Sequence, residues 1–221
     1  GAEPWQVPDV AAIESIDPGF ATASNAVDAQ GKEIFLPYLR DPETLARPWA
    51  VPGTAGLQHR IGGIEKAKDT GAVSYDPGNH DEMVRTRQAK IDGIARDIPH
   101  VVVDDPDAAE GIGASVLVLG WGSTYGPITA AVRRVRKTGR RIAQAHLRHL
   151  NPFPANLGEV LRRYDRVIVP EMNLGQLATM LRAKYLVDVH SYSRVRGLPI
   201  SLSELAADLE AEIDSIEGVF A

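Results

Sequence analysis

From about residue 100 onward, short apolar runs alternate with amphipathic helical patterns, and few folds accommodate that alternation. The runs are Val101-Val102-Val103, a short candidate edge strand, then Val116-Leu117-Val118-Leu119, the stretch 142–147, and Val167-Ile168-Val169. Helical periodicity predicts helices over about 127–137, 156–164 and 174–185. The strands lack polar alternation, as strands do when helices cover both faces of a sheet. Helical crossovers of this length place consecutive strands parallel. The expected fold is therefore α/β, an open and mostly parallel sheet. A last strand within 187–195, just before Gly197-Leu198-Pro199, is a candidate for an antiparallel edge. Ser201-Leu202-Ser203-Glu204 reads as a capping box opening a terminal helix. Its expected buried stripe is Leu202, Leu205, Leu209, Ile213 and Ile216, with an acidic face, including Glu204, Asp208, Glu210, Glu212 and Asp214, expected in solvent.

The first part of the chain is built differently. Ten of the 15 prolines precede residue 110, which breaks helices and strands there. Residues 1–78 therefore read as an extended arm of turns, yet Trp5, Phe20, Phe35, Tyr38, Leu39 and Trp49 make it too apolar for a disordered tail. The arm is expected to pack on other protein or fold back on this chain. Asn79-His80-Asp81-Glu82 reads as a cap opening a linking helix, assigned to 79–99, with Val84, Ile91, Ile94 and Ile98 as its apolar stripe. Its Arg85, Arg87 and Lys90 are either solvated charge or a surface for an anion or partner. The α/β domain then occupies 100–221. The opening Gly1-Ala2-Glu3-Pro4-Trp5 has no signal-peptide pattern, and the expectation is a piece of a larger enzyme subunit.

Composition excludes several chemistries. With no cysteine, this chain alone forms no disulfide, cysteine-ligated zinc site or iron–sulfur cluster. A formal charge of -5, from 24 basic and 29 acidic residues, argues against a dedicated nucleic-acid binder. No apolar run approaches the roughly 18 residues of a spanning helix, so a soluble chain without a membrane partner is expected.

Three loops carry polar groups at strand ends. Gly120-Trp121-Gly122-Ser123-Thr124-Tyr125-Gly126 lies between a strand and a helix, where glycines permit close backbone approach and free amides can meet an anion. Gly120, Gly122, Ser123 and Thr124 are the candidate anion residues. The spacing GxGxxxG departs from the dinucleotide pattern and no Walker lysine follows, so a structural turn, an anion site and a dinucleotide site all stand as readings. The second loop offers His146, Arg148 and His149, where parallel sheets commonly place ligands. Without a local carboxylate or serine nucleophile, and with no third metal ligand, these read as structural or interface residues with proton transfer and anion binding as alternatives. The third offers Glu171, Asn173 and Gln176, which can orient a ligand, cap the following helix or meet another subunit. Arg133, Arg134, Arg136, Lys137, Arg140 and Arg141 form a basic cluster, read as RNA- or partner-attracting or as local helix electrostatics.

These loops, with Tyr38-Leu39-Arg40-Asp41-Pro42, Leu150-Asn151-Pro152-Phe153-Pro154 and the run from Val169 through Pro170-Glu171-Met172-Asn173-Leu174-Gly175-Gln176-Leu177, resemble the carboxyl-terminal part of the alpha subunit of 2-oxoacid:ferredoxin oxidoreductases, in the 2-oxoglutarate-using branch. The resemblance implies oxidative decarboxylation of 2-oxoglutarate to succinyl-CoA, with coenzyme A as acyl acceptor and ferredoxin as electron acceptor. It implies thiamine diphosphate between alpha and beta subunits, Mg2+ on its diphosphate, and an iron–sulfur cluster in the beta subunit. The alpha subunit's pyrimidine-binding region, with the acidic residue that activates thiamine, is expected to precede Gly1. It implies a transketolase-carboxyl-terminal-like domain, no catalytic residue and no cofactor held by this chain alone, and an isolated chain without activity. The segment 171–176 would shape the domain edge and subunit contacts, and the setting would be cytoplasmic. The partners would be the remainder of the alpha subunit, the beta subunit and ferredoxin. Two other functions fit the residues, a small anion- or nucleotide-binding α/β module and a noncatalytic protein-interaction domain.

Overall fold

The computed structural model describes residues 7–108 and 111–219, with the side chains of 217–219 left aside, so Trp5 of the arm lies outside the described residues. The described chain forms two compact units, one of residues 7–95 and one from Arg96 on.

The first unit has few regular elements. Strands β1 (Ala26–Val27) and β2 (Glu33–Ile34) form a short antiparallel ribbon, and the linking helix α1 spans Pro77–Gly93. Asp76 caps α1 by accepting from the Asn79 amide at 2.6 Å, and Pro77 occupies the first turn, where its missing N–H costs nothing. The expected cap at Asn79 is corrected accordingly. The Asn79 side chain instead donates to the Lys66 carbonyl and accepts from the Lys68 amide. The expected apolar stripe also shifts: Met83 is buried, whereas Val84 and Ile94 are exposed.

The second unit is a five-stranded sheet between two helical layers. Its strands are β3 (Val103–Asp104), β4 (Val116–Trp121), β5 (Ala143–Leu147), β6 (Arg166–Glu171) and β7 (Val189–Ser193), in the order β3-β5-β4-β6-β7. The helices are α2 (Tyr125–Arg136), α3 (Leu157–Leu161), α4 (Gln176–Tyr185) and α5 (Leu202–Val219). Successive side chains of a strand face opposite sides, so β4 feeds both cores. Val116 and Val118 pack with Ile128, Val132 and Val135 of α2 and Leu205, Leu209 and Ile213 of α5. Leu117 and Leu119 pack with Leu157 and Leu161 of α3 and Leu177 and Leu181 of α4. Each such fully buried Leu contributes about 1.5–3 kcal/mol relative to exposure.

Parallel pairing of β4 with β5 and β6, and of β6 with β7, agrees with the expected mostly parallel sheet. The antiparallel edge is at the other end from the one expected. β7 runs parallel to β6, while β3 pairs antiparallel with β5 through Val103↔Ala145 and Asp104↔Gln144. A helix, α4, connects β6 to β7 and returns the chain in the same direction; β3 precedes the helical crossovers and is free of that constraint.

The acidic face of α5 is not simply solvated. Glu204 pairs with Arg196, Asp208 with Arg194, Glu212 with Arg166, and Asp214 with Arg140. The basic cluster near the end of α2 is partly used in the same way. Arg136 donates to the Asp104 carboxylate and to the Asp104 and Ile142 carbonyls, and Arg141 donates to the Ile112 carbonyl. Local structure thus occupies Arg136, Arg140 and Arg141, leaving Arg133 beside the cleft described next.

Candidate functional site

The chain leaves β4 through α2 on one face of the sheet and leaves β5 through α3 on the other. At such a switch point the two connections diverge and open a crevice beyond the strand ends, the usual ligand position in open α/β sheets. Here the carboxyl ends of β4 and β5 frame a cavity of about 660 Å3 lined by Trp121, Gly122, Tyr125, His146, Arg148 and Leu150. A neighbouring cavity of about 470 Å3 shares Tyr125, His146 and Arg148 and adds His100, Arg133 and His149.

The Gly-rich turn owes its shape to three residues. Gly120, inside β4, has no room for a side chain, since a Cβ would lie 2.6 Å from Ile128 Cδ1 and 2.9 Å from His146 Nδ1. Gly122 turns the chain with φ +57°, a left-handed conformation that favours glycine, and stands in open space. Thr124 is buried, and its hydroxyl donates to the Trp121 carbonyl at 2.8 Å and accepts from the Trp121 amide at 3.2 Å. Ser123 is exposed. Of the four candidate anion residues, Gly122 lines the larger cavity, while Gly120 and Thr124 hold the turn together.

On β5 and the loop after it, His146 is half-buried with its ring edge-on to Tyr125, the centroids 5.1 Å apart. Arg148 and His149 are exposed on the rim. The structure thus brings His146, Arg148 and His149 together with Gly122. The electrostatic balance of the smaller cavity is basic, with Asp104 the acidic residue among the lining groups. Such a surface can orient an anion. It contains no nucleophile paired with a base.

Glu171, Asn173 and Gln176 form a second assembly, at the end of β6. Glu171 is 1 % exposed, and its carboxylate accepts four hydrogen bonds. Two come from the amides of Leu177 and Ala178 in the first turn of α4, at 2.9 and 3.1 Å. The others come from Asn173 Nδ2 at 3.0 Å and Trp121 Nε1 at 3.3 Å. Asn173 Oδ1 in turn accepts from the amides of Gly175 and Gln176. A buried carboxylate at a helix N-terminus is stabilised by the free amides and the helix dipole, and both oxygens of Glu171 are engaged. Gln176 itself is exposed. Gly175 completes the assembly, with φ +83° and a hypothetical Cβ 2.5 Å from Ser191 Oγ.

Sequence reasoning did not single out Trp121, whose indole ties the Gly-rich turn to Glu171, nor Tyr125, His100 or Gln144. A signal existed for Gln144, a lone amide amid the apolar residues of β5; buried, it donates to Thr129 Oγ1 at 2.7 Å. Pairing of Trp121 with Glu171 joins positions 50 residues apart and left no local trace.

Residues 114–205 match the family model described as pyruvate:ferredoxin oxidoreductase core domain II. The 2-oxoglutarate oxidoreductase subunit KorA of Mycobacterium tuberculosis is 54% identical over 213 residues, covering 96% of this chain and 30% of that protein. Subunit alpha of the 2-oxoacid:ferredoxin oxidoreductase 1 of Aeropyrum pernix is 32% identical over 180 residues, covering 77% of this chain and 27% of that one. Among solved structures, the 2-oxoglutarate:ferredoxin oxidoreductase of Magnetococcus marinus, with 2-oxoglutarate, coenzyme A and succinyl-CoA bound, aligns with a TM-score of 0.72 at 28% identity, over 86% of this chain and 32% of that one. The chain spans about a third or less of the length of these relatives. The extent of identity, the match to the family model and the structural likeness together place the chain in the 2-oxoacid:ferredoxin oxidoreductase family, as a carboxyl-terminal region of an alpha subunit of the 2-oxoglutarate branch.

Proposed function

We propose that this chain is part of a 2-oxoglutarate:ferredoxin oxidoreductase, which converts 2-oxoglutarate and coenzyme A to succinyl-CoA and carbon dioxide while reducing ferredoxin. The observation that carries this reading is the 54% identity extending over 96% of the chain, through both units. In this reading the α/β unit corresponds to a transketolase-carboxyl-terminal-like domain, and the arm of 1–78 and helix of 79–99 join it to the remainder of the alpha subunit. The beta subunit and ferredoxin complete the assembly, in the cytoplasm. Among the described residues no helix is long and apolar enough to cross a membrane.

Thiamine diphosphate, Mg2+ and an iron–sulfur cluster belong to the proposed complex. The described residues do not fit the metal ion, because no group of three or more His, Cys, Asp or Glu stands close enough to hold one. The role proposed for this chain is assembly and positioning. Glu171 holds the start of α4 rigid, Asn173 supports it, and the exposed Gln176 and the rim residues Arg148 and His149 offer polar contacts to a neighbouring subunit. His146 sets the packing behind that rim through Tyr125.

The test is viologen reduction driven by 2-oxoglutarate and dependent on coenzyme A. The parent alpha subunit, purified with its beta subunit and supplied with thiamine diphosphate and Mg2+, should turn over. The 221-residue chain alone should not; turnover by the chain alone overturns the positioning role. A second reading, a small anion- or nucleotide-binding module, is favoured by the cavity beside Gly122 and Arg148. Calorimetric titration with nucleotides decides it, since tight binding abolished by Gly122→Val would replace the first reading.

A further inference from the structure

Residues 7–95 frame an open cavity of about 770 Å3, within the 300–1,000 Å3 range of small-molecule sites. Five of its lining residues are basic, Arg40, Arg47, Lys66, Arg87 and Lys90, and one, Glu65, is acidic. Glu65 is already engaged. One oxygen lies 2.7 Å from His80 Nδ1 and the other 3.7 Å from Arg87 Nη1. Arg87 is therefore partly compensated. Among the described residues, Arg40, Arg47, Lys66 and Lys90 have no acidic side chain within ion-pair distance.

One of these cations is buried and a second is half-buried. Lys66 is 4 % exposed, and its Nζ donates to the Ile64 carbonyl at 2.9 Å. An ammonium carries three donors, so one carbonyl leaves it under-satisfied. Arg40 donates from Nη1 to the Leu45 carbonyl, while its Nε is buried without a hydrogen-bond partner. Burial, and after it the charges of Arg47 and Arg87, lower the pKa of Arg40. Concentrating like charges around one cavity is unfavourable unless an anion enters it, most of all for the charge that is buried. The rim is aromatic. Arg47 stands 5.0 Å above the Tyr38 ring, and Trp49 is 56% exposed at the opening.

We propose that this cavity is a binding site for a small anion bearing two or more phosphate or carboxylate charges. The buried donors of Lys66 and Arg40 favour a small ligand over an acidic polypeptide, because a polypeptide would have to thread its charges into the cavity to reach them. The inference is independent of the catalytic reading above, since it concerns a ligand of this chain's own first unit.

Titration of the 221-residue chain with inorganic pyrophosphate at low ionic strength tests it, followed by calorimetry and tryptophan fluorescence, with citrate as the carboxylate counterpart. The expected result is saturable one-to-one binding of at least one of the two, with a raised melting temperature and a fluorescence change lost in Trp49→Phe. Affinity should fall at least tenfold in Arg87→Gln and separately in Lys90→Gln, and stay unchanged in Arg134→Gln on α2. Both cavity variants replace side chains of α1 that are not buried, and circular dichroism checks that they fold. The stronger of pyrophosphate and citrate identifies the phosphate or carboxylate class. Non-saturable binding, equal binding by both cavity variants and wild type, or tenfold tighter binding of an oligoglutamate peptide than of either small anion overturns the proposal.

Discussion

In the unit from Arg96 on, backbone groups pair mainly through sheet and helix, whereas between Val7 and Ala95 many are held by side chains. Asn25 clamps both the amide and carbonyl of Leu36, Asp28 accepts from the amides of Gln30 and Lys32, and Asp41 from those of Glu43 and Thr44. Asn79 joins Lys66 to Lys68 in the same way. The α/β unit uses the same device around the ends of its strands and helices, as where Asn156 clamps Val101 and where Glu171 and Asn173 hold the amides at the start of α4. Apolar burial differs in parallel. The second unit has two continuous cores, while in the first Pro37, Leu57 and Met83 are the buried apolar side chains among the described residues. A chain interrupted by proline cannot form long ladders, so short polar side chains replace them. The consequence is that single substitutions should act through packing in one unit and through local order in the other.

The largest expected contrast is in packing. Leu119→Ala, which opens a cavity beneath α3 and α4, should cost about 2–5 kcal/mol in urea denaturation. Val10→Ala, exposed in the arm, should stay within about 0.5 kcal/mol. Equal effects would mean that the first unit holds a core of its own. Next, Glu171→Gln places an amide NH2 where both carboxylate oxygens accept, and should cost about 1–3 kcal/mol. Asn25→Ala should instead speed hydrogen exchange of the Leu36 amide with little change in global stability.

A smaller contrast is pH-dependent. Burial, and then donation to Asp208 at 2.8 Å, push the Tyr192 phenol up to about 12. An unfolded tyrosine titrates near pH 10, so the native state holds this proton more tightly. Its stabilising contribution is fully present below about pH 10 and is lost as pH rises toward 12. Denaturation midpoints of wild type and Tyr192→Phe should converge over that window, and a constant difference would contradict the assignment. Smallest of all, Arg85→Ala removes an exposed pair with Asp81 on α1 and should leave the melting temperature unchanged.

Much of the sheet was legible because its strands are buried on both faces and announce themselves as unbroken aliphatic runs. The helices were legible through their periodicity, though α3 covers Leu157–Leu161, shorter than the predicted 156–164, and α1 starts at Pro77. The candidate loops were legible as strand-end polar clusters. What each polar group does was not. Capping by Glu171, whose amide partners Leu177 and Ala178 are close in sequence, stood among the readings of its loop, whereas its indole donor Trp121 and the ion pairs of the α5 acidic face with Arg140 and Arg166 depend on partners far away in the chain.

The sequence by itself determined an α/β unit with a mostly parallel sheet, an irregular proline-rich first part, and the absence of cysteine chemistry, because local periodicity, backbone restriction and composition need no partner to act. Tertiary structure decided that the antiparallel edge is β3, that the crevice opens between β4 and β5, and that Arg40, Arg47, Lys66, Arg87 and Lys90 surround one cavity. Strand order and the convergence of like charges are properties of contacts between distant residues, and the energy of such contacts is set by three-dimensional burial.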